Sequence, residues 1–276
     1  MGGIIWLASY PKSGNTWTRT FIHNLLLNPK EPTDINSMHH FTLGDGGKKF
    51  YEQASGKPFE ELTRREIAAL IPKVHEIFTK SHPDSVFVKT HSALANFLGV
   101  PLITMEHTAG AIYIIRNPLD VVISLASHYN LSLDQAIHML NNPKAKSAEI
   151  ESNIEQFYGS WSNHVNSWMP FNPQYKHVMR YEDMLDKPLE VFGGLANFLG
   201  LRPPKERLLR AIEFSSFDAV RKQEDMKGFT ENPDTNENFF RVGKSGQWKS
   251  ILSRKQVNKV VKCHHQTMNQ FGYLPD

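Results

Sequence analysis

Four short segments carry residues able to handle an anion. The stretch Tyr10-Pro-Lys-Ser-Gly-Asn-Thr-Trp17 sets a lysine inside a turn, and Lys89-Thr-His91 joins a second lysine to an imidazole. Arg116-Asn-Pro-Leu-Asp-Val-Val-Ile-Ser124 places a guanidinium ahead of a hydroxyl, and Tyr181-Glu-Asp-Met184 offers an aromatic ring and a phenol. A guanidinium presents a planar fork of donors to phosphate oxygens. Imidazole titrates near working pH and can accept a proton from a reacting hydroxyl. Aligned to G-x-x-x-x-G-K-[ST], the first stretch has Ser9 for the first glycine, keeps Gly14, has Asn15 for the lysine and keeps Thr16. Backbone N–H groups at a helix N-terminus still cradle an anion there, and Lys12 supplies charge from within the turn.

These segments need a scaffold that brings them together. Apolar runs at 4–8, 85–89, 110–115 and 177–181 read as strands, and the run at 110–115 is apolar nearly throughout, as a strand covered on both faces should be. Helical patterns cover 15–27, 60–80, 132–141, 148–168, 184–199, 204–213 and 253–270, with another helix opening at Pro118. Residues 28–58 and 225–238 are polar and glycine-containing and read as loops, the latter a mobile one. Strands separated by helices imply right-handed crossovers and an α/β fold, with a central, mostly parallel sheet flanked by helices on both faces. No repeat or linker interrupts residues 1–276, which are expected to form a single P-loop-like domain. Ligands of such sheets bind beyond the carboxyl ends of the strands, where each of the four segments falls.

The joint order and spacing of these motifs, with Phe240-Arg-Val-Gly-Lys-Ser-Gly-Gln-Trp-Lys249 near the end, resembles the cytosolic-type sulfotransferases, in a variant similar to bacterial members. The resemblance implies 3′-phosphoadenosine 5′-phosphosulfate (PAPS) as donor and adenosine 3′,5′-bisphosphate as product, with no metal. It implies that Lys12, Ser13, Gly14, Asn15 and Thr16 surround the 5′-phosphosulfate, that Trp17 stacks on adenine, and that Arg116 and Ser124 bind the 3′-phosphate. Tyr181, Ser216 and Phe217 fall near the adenine, and Arg241, Val242 and Gly243 match a segment that closes over the 3′-phosphate. Val242 stands where the family has a lysine, so that contact is lost or comes from elsewhere, with Lys244 as a candidate. The resemblance makes His91 the general base, has Lys12 and Lys89 neutralise developing charge, and has Ser124 hold Lys12 off the bridging oxygen until acceptor arrives. Arg254 and Asn258 replace the Val and Glu of the family's short dimerisation pattern, leaving monomer and homodimer both open.

Composition bounds the alternatives. A net charge of +3, from 31 Lys and Arg against 28 Asp and Glu, is too small for a nucleic-acid coat. Cys263 is the single cysteine, so a reducing, cytoplasmic setting is expected. No window reaches the roughly 18 apolar residues of a membrane span, and the N-terminus lacks a signal-peptide pattern. A P-loop phosphotransferase or nucleotide kinase is the competing reading, which the missing G-K-[ST] and the lack of a strand-terminal Asp for Mg²⁺ disfavour. A catalytically silent nucleotide-binding protein is a third, disfavoured by the retention of Lys12 and His91. The acceptor is expected to be a small molecule with a hydroxyl on a largely hydrophobic body, held by Phe41, Leu94, Phe97, Leu98, Leu102 and Phe239. His128 is expected to be packed, Trp161 and Trp168 to form a core stripe, and Cys263-His-His265 not to bind metal, because adjacent helical side chains diverge.

Overall fold

Residues 2–232 and 238–275 are described from a computed structural model of the chain. In chain order the elements are β1 (Ile4–Ser9), α1 (Asn15–Leu27), α2 (Met38–Phe41), β2 (Thr42–Gly44), α3 (Lys48–Ser55), α4 (Arg64–Lys80) and β3 (Val86–Thr90). A short hairpin, β4 (Asn96–Phe97) and β5 (Val100–Pro101), precedes β6 (Thr108–Ile115), α5 (Pro118–His128), α6 (Leu133–Asn141) and α7 (Trp161–Trp168). Then follow β7 (Lys176–Arg180), α8 (Tyr181–Asp186), α9 (Pro188–Phe198), α10 (Lys205–Phe214), α11 (Phe217–Lys227), α12 (Trp248–Ile251) and α13 (Arg254–Gln270).

The main sheet has the order β2-β3-β1-β6-β7, and every pairing in it is parallel. Successive side chains of a strand point to opposite faces, and β1 shows the consequence. Ile4, Trp6 and Ala8 pack into one apolar cluster with α4, α5, α7 and α13, while Leu7 joins Phe21, Ile22, Leu25 and Phe192 of α1 and α9 in another. Both faces of the sheet are therefore covered. Trp161 and Trp168, with no exposed surface, belong to the first cluster as expected.

The expected helix over 184–199 is broken at Lys187 into α8 and α9, α11 was not expected, and three further segments differ from the sequence expectation. Residues 28–58 hold α2, β2 and α3, so the sheet gains a fifth strand; a three-residue strand carries too little alternation to be read from sequence. Within 148–168 only Trp161–Trp168 is helical. Upstream backbone groups pair across the chain instead, with Lys48 N donating to Ser152 O at 3.0 Å and Ile154 N to Gly46 O at 2.8 Å. The helix starts where the Ser160 hydroxyl accepts from Asn163 N at 3.3 Å. Of the expected loop 225–238, residues up to Lys227 finish α11 and 233–237 lie outside the described residues.

Candidate active site

The turn after β1 is shaped by two left-handed residues. Gly14 has φ +108°, and a Cβ there would lie 2.9 Å from the Tyr181 ring, so glycine is required on both counts. Lys12 adopts φ +67°, a conformation that costs a non-glycine residue roughly 1–2 kcal/mol. Arg116 Nη1 holds it there by donating to Lys12 O at 3.1 Å. The Asn15 amide braces the turn from behind: Nδ2 donates to Leu7 O at 2.8 Å and to Ser9 Oγ at 3.3 Å. That leaves Asn15 Oδ1 and Ser13 Oγ buried without partners. Buried polar atoms are rarely left unpaired; the Asn15 oxygen can only accept, so what an anion would meet here is the helix N-terminus itself, where N–H groups are free.

The turn forms one wall of a cavity of about 300 Å³ beyond the carboxyl ends of β1, β3 and β6. Of the expected site residues, Lys12, Gly14, Asn15, Thr16, Trp17, Lys89, His91, Arg116, Ser124, Tyr181, Phe217, Arg241, Val242 and Gly243 line it. Two do not. Ser13 is buried beneath the turn, and Ser216 caps α11 by accepting from Ala219 N at 3.3 Å, leaving Ser215 on the wall. Among the described residues no group of three His, Cys, Asp or Glu side chains is placed to hold a metal ion. His264, in the Cys-His-His stretch, bonds Ser162 Oγ at 2.8 Å and Asn141 Oδ1 at 2.9 Å.

Lys12 Nζ lies 3.8 Å from the centre of the Phe239 ring and 3.3 Å from His128 Nδ1. His128 is thus part of the cavity wall rather than packed away, and among the described residues it, not Ser124, is the hydrogen-bonding partner of Lys12. Burial, then the nearby Lys89 and Arg116 charges, lower the Lys12 ammonium to about pKa 7. The same burial, with Lys12 beside it, lowers the His128 imidazole to about 3.

His91 has a defined tautomer. Nδ1 lies 2.8 Å from Ser9 O, and a carbonyl can only accept, so the ring donates from Nδ1. Burial first, and Lys89 second, hold the ring well below the usual imidazole range and so neutral. The lone pair therefore sits on Nε2, which no group bonds among the described residues, in a ring that lines the cavity. His164 Nε2 lies 3.1 Å from the His91 carbonyl and Tyr113 OH 2.8 Å from His164 Nδ1, so buried groups fix the base from its backbone side.

At the opposite end, Arg116 spans the turn and the C-terminal segment, donating also to Lys244 O at 3.2 Å, with its guanidinium 4.1 Å from the centre of the Tyr181 ring. Its Nε is buried and unpartnered. Lys244 thus contributes a carbonyl, while its own side chain belongs to an exposed residue. Asp120, buried in the first turn of α5, accepts from Gly246 N at 2.7 Å and Trp248 N at 3.1 Å and so latches this segment over the cavity. Gly243, at φ +64°, packs against the Phe217 ring. Trp17 meets Tyr181 and Phe192 edge-on, at 5.8 and 5.6 Å, with a buried Nε1–H that has no partner.

A model of the sulfotransferase domain matches residues 4–272. The chain belongs to the sulfotransferase domain family. Among its relatives, sulfotransferase 1B1 of Canis lupus familiaris is 28% identical, with 95% of this chain and 82% of the relative aligned. Cytosolic sulfotransferase 1 of Arabidopsis thaliana is also 28% identical, over 92% of this chain and 75% of the relative. Two crystal structures share the fold at low identity: a mouse sulfotransferase complexed with PAP (TM-score 0.63, 20% identical, 96% and 84% coverage) and retinol dehydratase with androsterone and PAP (0.67, 19%, 96% and 80%). The sulfotransferase is an enzyme of the expected α/β class, and the family match favours sulfuryl over phosphoryl transfer.

Some of this site was not anticipated. Arg19 and Glu231 form a close bidentate ion pair at the edge of the cavity, and Glu231 Oε2 is also 3.1 Å from Lys89 Nζ. A cation at the fifth residue of a largely buried helix and an acid in a polar loop give no signal in sequence of meeting. Of the six apolar residues expected around the acceptor only Phe239 lines the main cavity; Phe97 and Leu102 line a separate one of about 120 Å³. Phe41 stacks on His23 at 5.1 Å, and Leu98 is exposed. No helix among the described residues is long and apolar enough to cross a membrane.

Proposed function

We propose that this chain, acting as a single domain in the cytoplasm, transfers the sulfuryl group of PAPS to a hydroxyl of a small acceptor. The observation that carries the reading is one cavity holding both a neutral His91 with its Nε2 lone pair free and the lysine of the phosphate-binding turn, Lys12. When bound, the donor supplies an activated sulfuryl group on a phosphate leaving group. Thr16 on the cavity wall, the unpartnered Arg116 Nε and the N–H groups opening α1 suit the phosphates of such a nucleotide.

His91 Nε2 takes the acceptor's proton as its oxygen attacks, a contribution typically of roughly 10²–10⁴ in rate. Lys12 neutralises charge growing on the leaving phosphate, and Lys89, two residues before the base at the same strand end, faces the transferring group. Arg116, with Ser124 and Arg241 on the same wall, takes the 3′-phosphate, while Trp17, Tyr181 and Phe217 offer surface for adenine and Gly243 lets the segment close. Positioning and charge neutralisation carry most of the catalysis, as in phosphoryl transfer. The PAP named for two structural relatives supports the same donor.

The experiment is calorimetric and chemical. Adenosine 3′,5′-bisphosphate should bind, and Mg-ATP should not; His91→Ala should keep bisphosphate affinity within a few-fold while losing transfer of labelled sulfate. Binding of Mg-ATP alone would overturn the reading, and full activity in the alanine variant would remove His91 as base.

A further inference from the structure

Arg19 and Glu231 have no part in the roles assigned above, and through Glu231 they reach Lys89, which has one. Arg19 sits one turn into α1, and its side chain is 2% exposed. The Glu231 side chain, 30% exposed, lies between Arg19 and the cavity and lines the wall beside Phe239, His128 and Tyr129. Its two carboxylate oxygens take Arg19 Nη1 and Nη2, and Oε2 also takes Lys89 Nζ at 3.1 Å. Arg19 Nε remains buried without a partner. Lys89 and His91 are two residues apart at one strand end and both line the cavity, so an anion on this pair of cations lies beside the proposed base.

We infer that Arg19 and Lys89 form a carboxylate subsite at the acceptor end of the cavity, which Glu231 fills until an acceptor brings a carboxylate of its own. The inference rests on the transfer reading and adds to it the acceptor class: a hydroxy acid with its hydroxyl toward His91. The chain's own carboxylate shows what the two cations hold. A guanidinium buried this deeply needs a partner, because removing one member of a buried pair is strongly destabilising, so the subsite is filled either by Glu231 or by a ligand. Glu231 is the movable member. It stands on the segment following Gly228, whose φ is +72°, in a turn closed by Asn232 N donating to Phe229 O at 3.0 Å and joined to the rest of the fold by Asn36, whose Nδ2 donates to Gly228 O at 3.1 Å and whose Oδ1 accepts from Thr230 N at 2.8 Å. Arg19 is fixed within α1.

Two measurements on the full chain, both with saturating adenosine 3′,5′-bisphosphate, test this. First, Glu231→Ala should melt below the wild type and regain most of that loss in acetate but not in chloride of equal ionic strength. The rescue should vanish in the Arg19→Met/Glu231→Ala double variant. Second, across paired hydroxy acids and their uncharged amides, the acids should bind at least about tenfold tighter to the wild type, with a larger margin in Glu231→Ala, where the internal competitor is gone. Equal rescue by chloride, or acids that bind no better than amides, would overturn the subsite and leave Glu231 as an internal brace. Failure of the bisphosphate itself to bind would instead sink the transfer reading, so the two failures are told apart.

Discussion

Lys12 should be a residue that the fold pays to keep. Its ammonium lies in a cavity wall among other cations, and its pKa falls from 10.5 to about 7. A depressed base destabilises the folded state wherever the unfolded chain is protonated and the folded one resists it. That penalty is complete below pH 7 and disappears as pH rises through the interval from 7 to 10.5, since there the unfolded chain binds more protons and stability climbs with pH. The fall from 10.5 to about 7 sets a ceiling of about 5 kcal/mol. Water entering the cavity lowers that figure, and the Phe239 face and the His128 lone pair return part of it, a cation–π contact being worth about 0.5–2 kcal/mol. We expect Lys12→Met to be more stable than the wild type at pH 6 by about 2 kcal/mol, or several degrees in Tm, while losing transfer activity. Urea unfolding of both proteins from pH 6 to pH 9 measures it, and the margin must shrink as pH rises. Calorimetry in two buffers gives a second reading, because a bound anion restores the Lys12 charge and binding at pH 8 should take up protons. A margin that is absent at pH 6, or that does not change with pH, refutes the reasoning.

Other perturbations follow from the same geometry. Asp120→Ala removes the acceptor of two backbone N–H groups, at about 1.5–3 kcal/mol for each bond to a charged group; bisphosphate affinity by calorimetry should fall about 10- to 100-fold, and an unchanged value would show that the 241–248 segment closes without this latch. Gly243→Ala would put a Cβ 2.2 Å from Phe217 Cδ2 at φ +64°, so donor KM should rise more than kcat falls; a normal KM would place the adenine away from Phe217. Acid should unfold the protein early. Burial lowers His75, His128 and His164 to about 3 and His264 to about 4 and holds His91 low as well, so stability drops as pH falls below 6.5 by about 1.4 kcal/mol per group per unit. Five such groups can exhaust a typical 5–15 kcal/mol stability near pH 5, and circular dichroism showing a native fold at pH 4 would contradict that neutral, buried state.

Residues brought to the cavity by their own strand end were legible. Lys12, Lys89, His91, Arg116 and Tyr181 each follow an apolar run, and a parallel sheet delivers all such ends to one rim, so fold class and wall composition came from the same pattern. What sequence could not show were pairings between side chains far apart in the chain. Arg19 meets Glu231 across 212 positions and Asp120 meets Trp248 across 128, and neither sits in a motif that names its partner. The non-helical stretch before Trp161 was hidden for the same reason, since its apolar spacing is helical while its backbone groups are taken by residues 46–48. Asn15 shows the limit of reading by analogy: an amide suited to a phosphate turns its NH₂ group back to Leu7 O and holds the turn instead.

The two ends of the cavity treat their cations differently, and the difference separates their tasks. At the end proposed for the donor, the partners of Arg116 among the described residues are carbonyls and a tyrosine ring, and those of Lys12 an imidazole lone pair and a phenyl face. Neutral partners orient a cation without cancelling its charge, so these groups meet an arriving phosphate undiminished, and the cost appears as the lowered pKa of Lys12. At the other end Arg19 and Lys89 already share a carboxylate, whose own pKa those two charges pull down against its burial. A nucleotide carrying several negative charges gains most where no internal anion must first be displaced. An acceptor reaching the Arg19 end must either carry an anion to replace Glu231 or leave that carboxylate in place. On the proposed reading, the donor meets the end of the cavity whose cations have no carboxylate bound to them, and the exchange at Glu231 is the step that selects the acceptor.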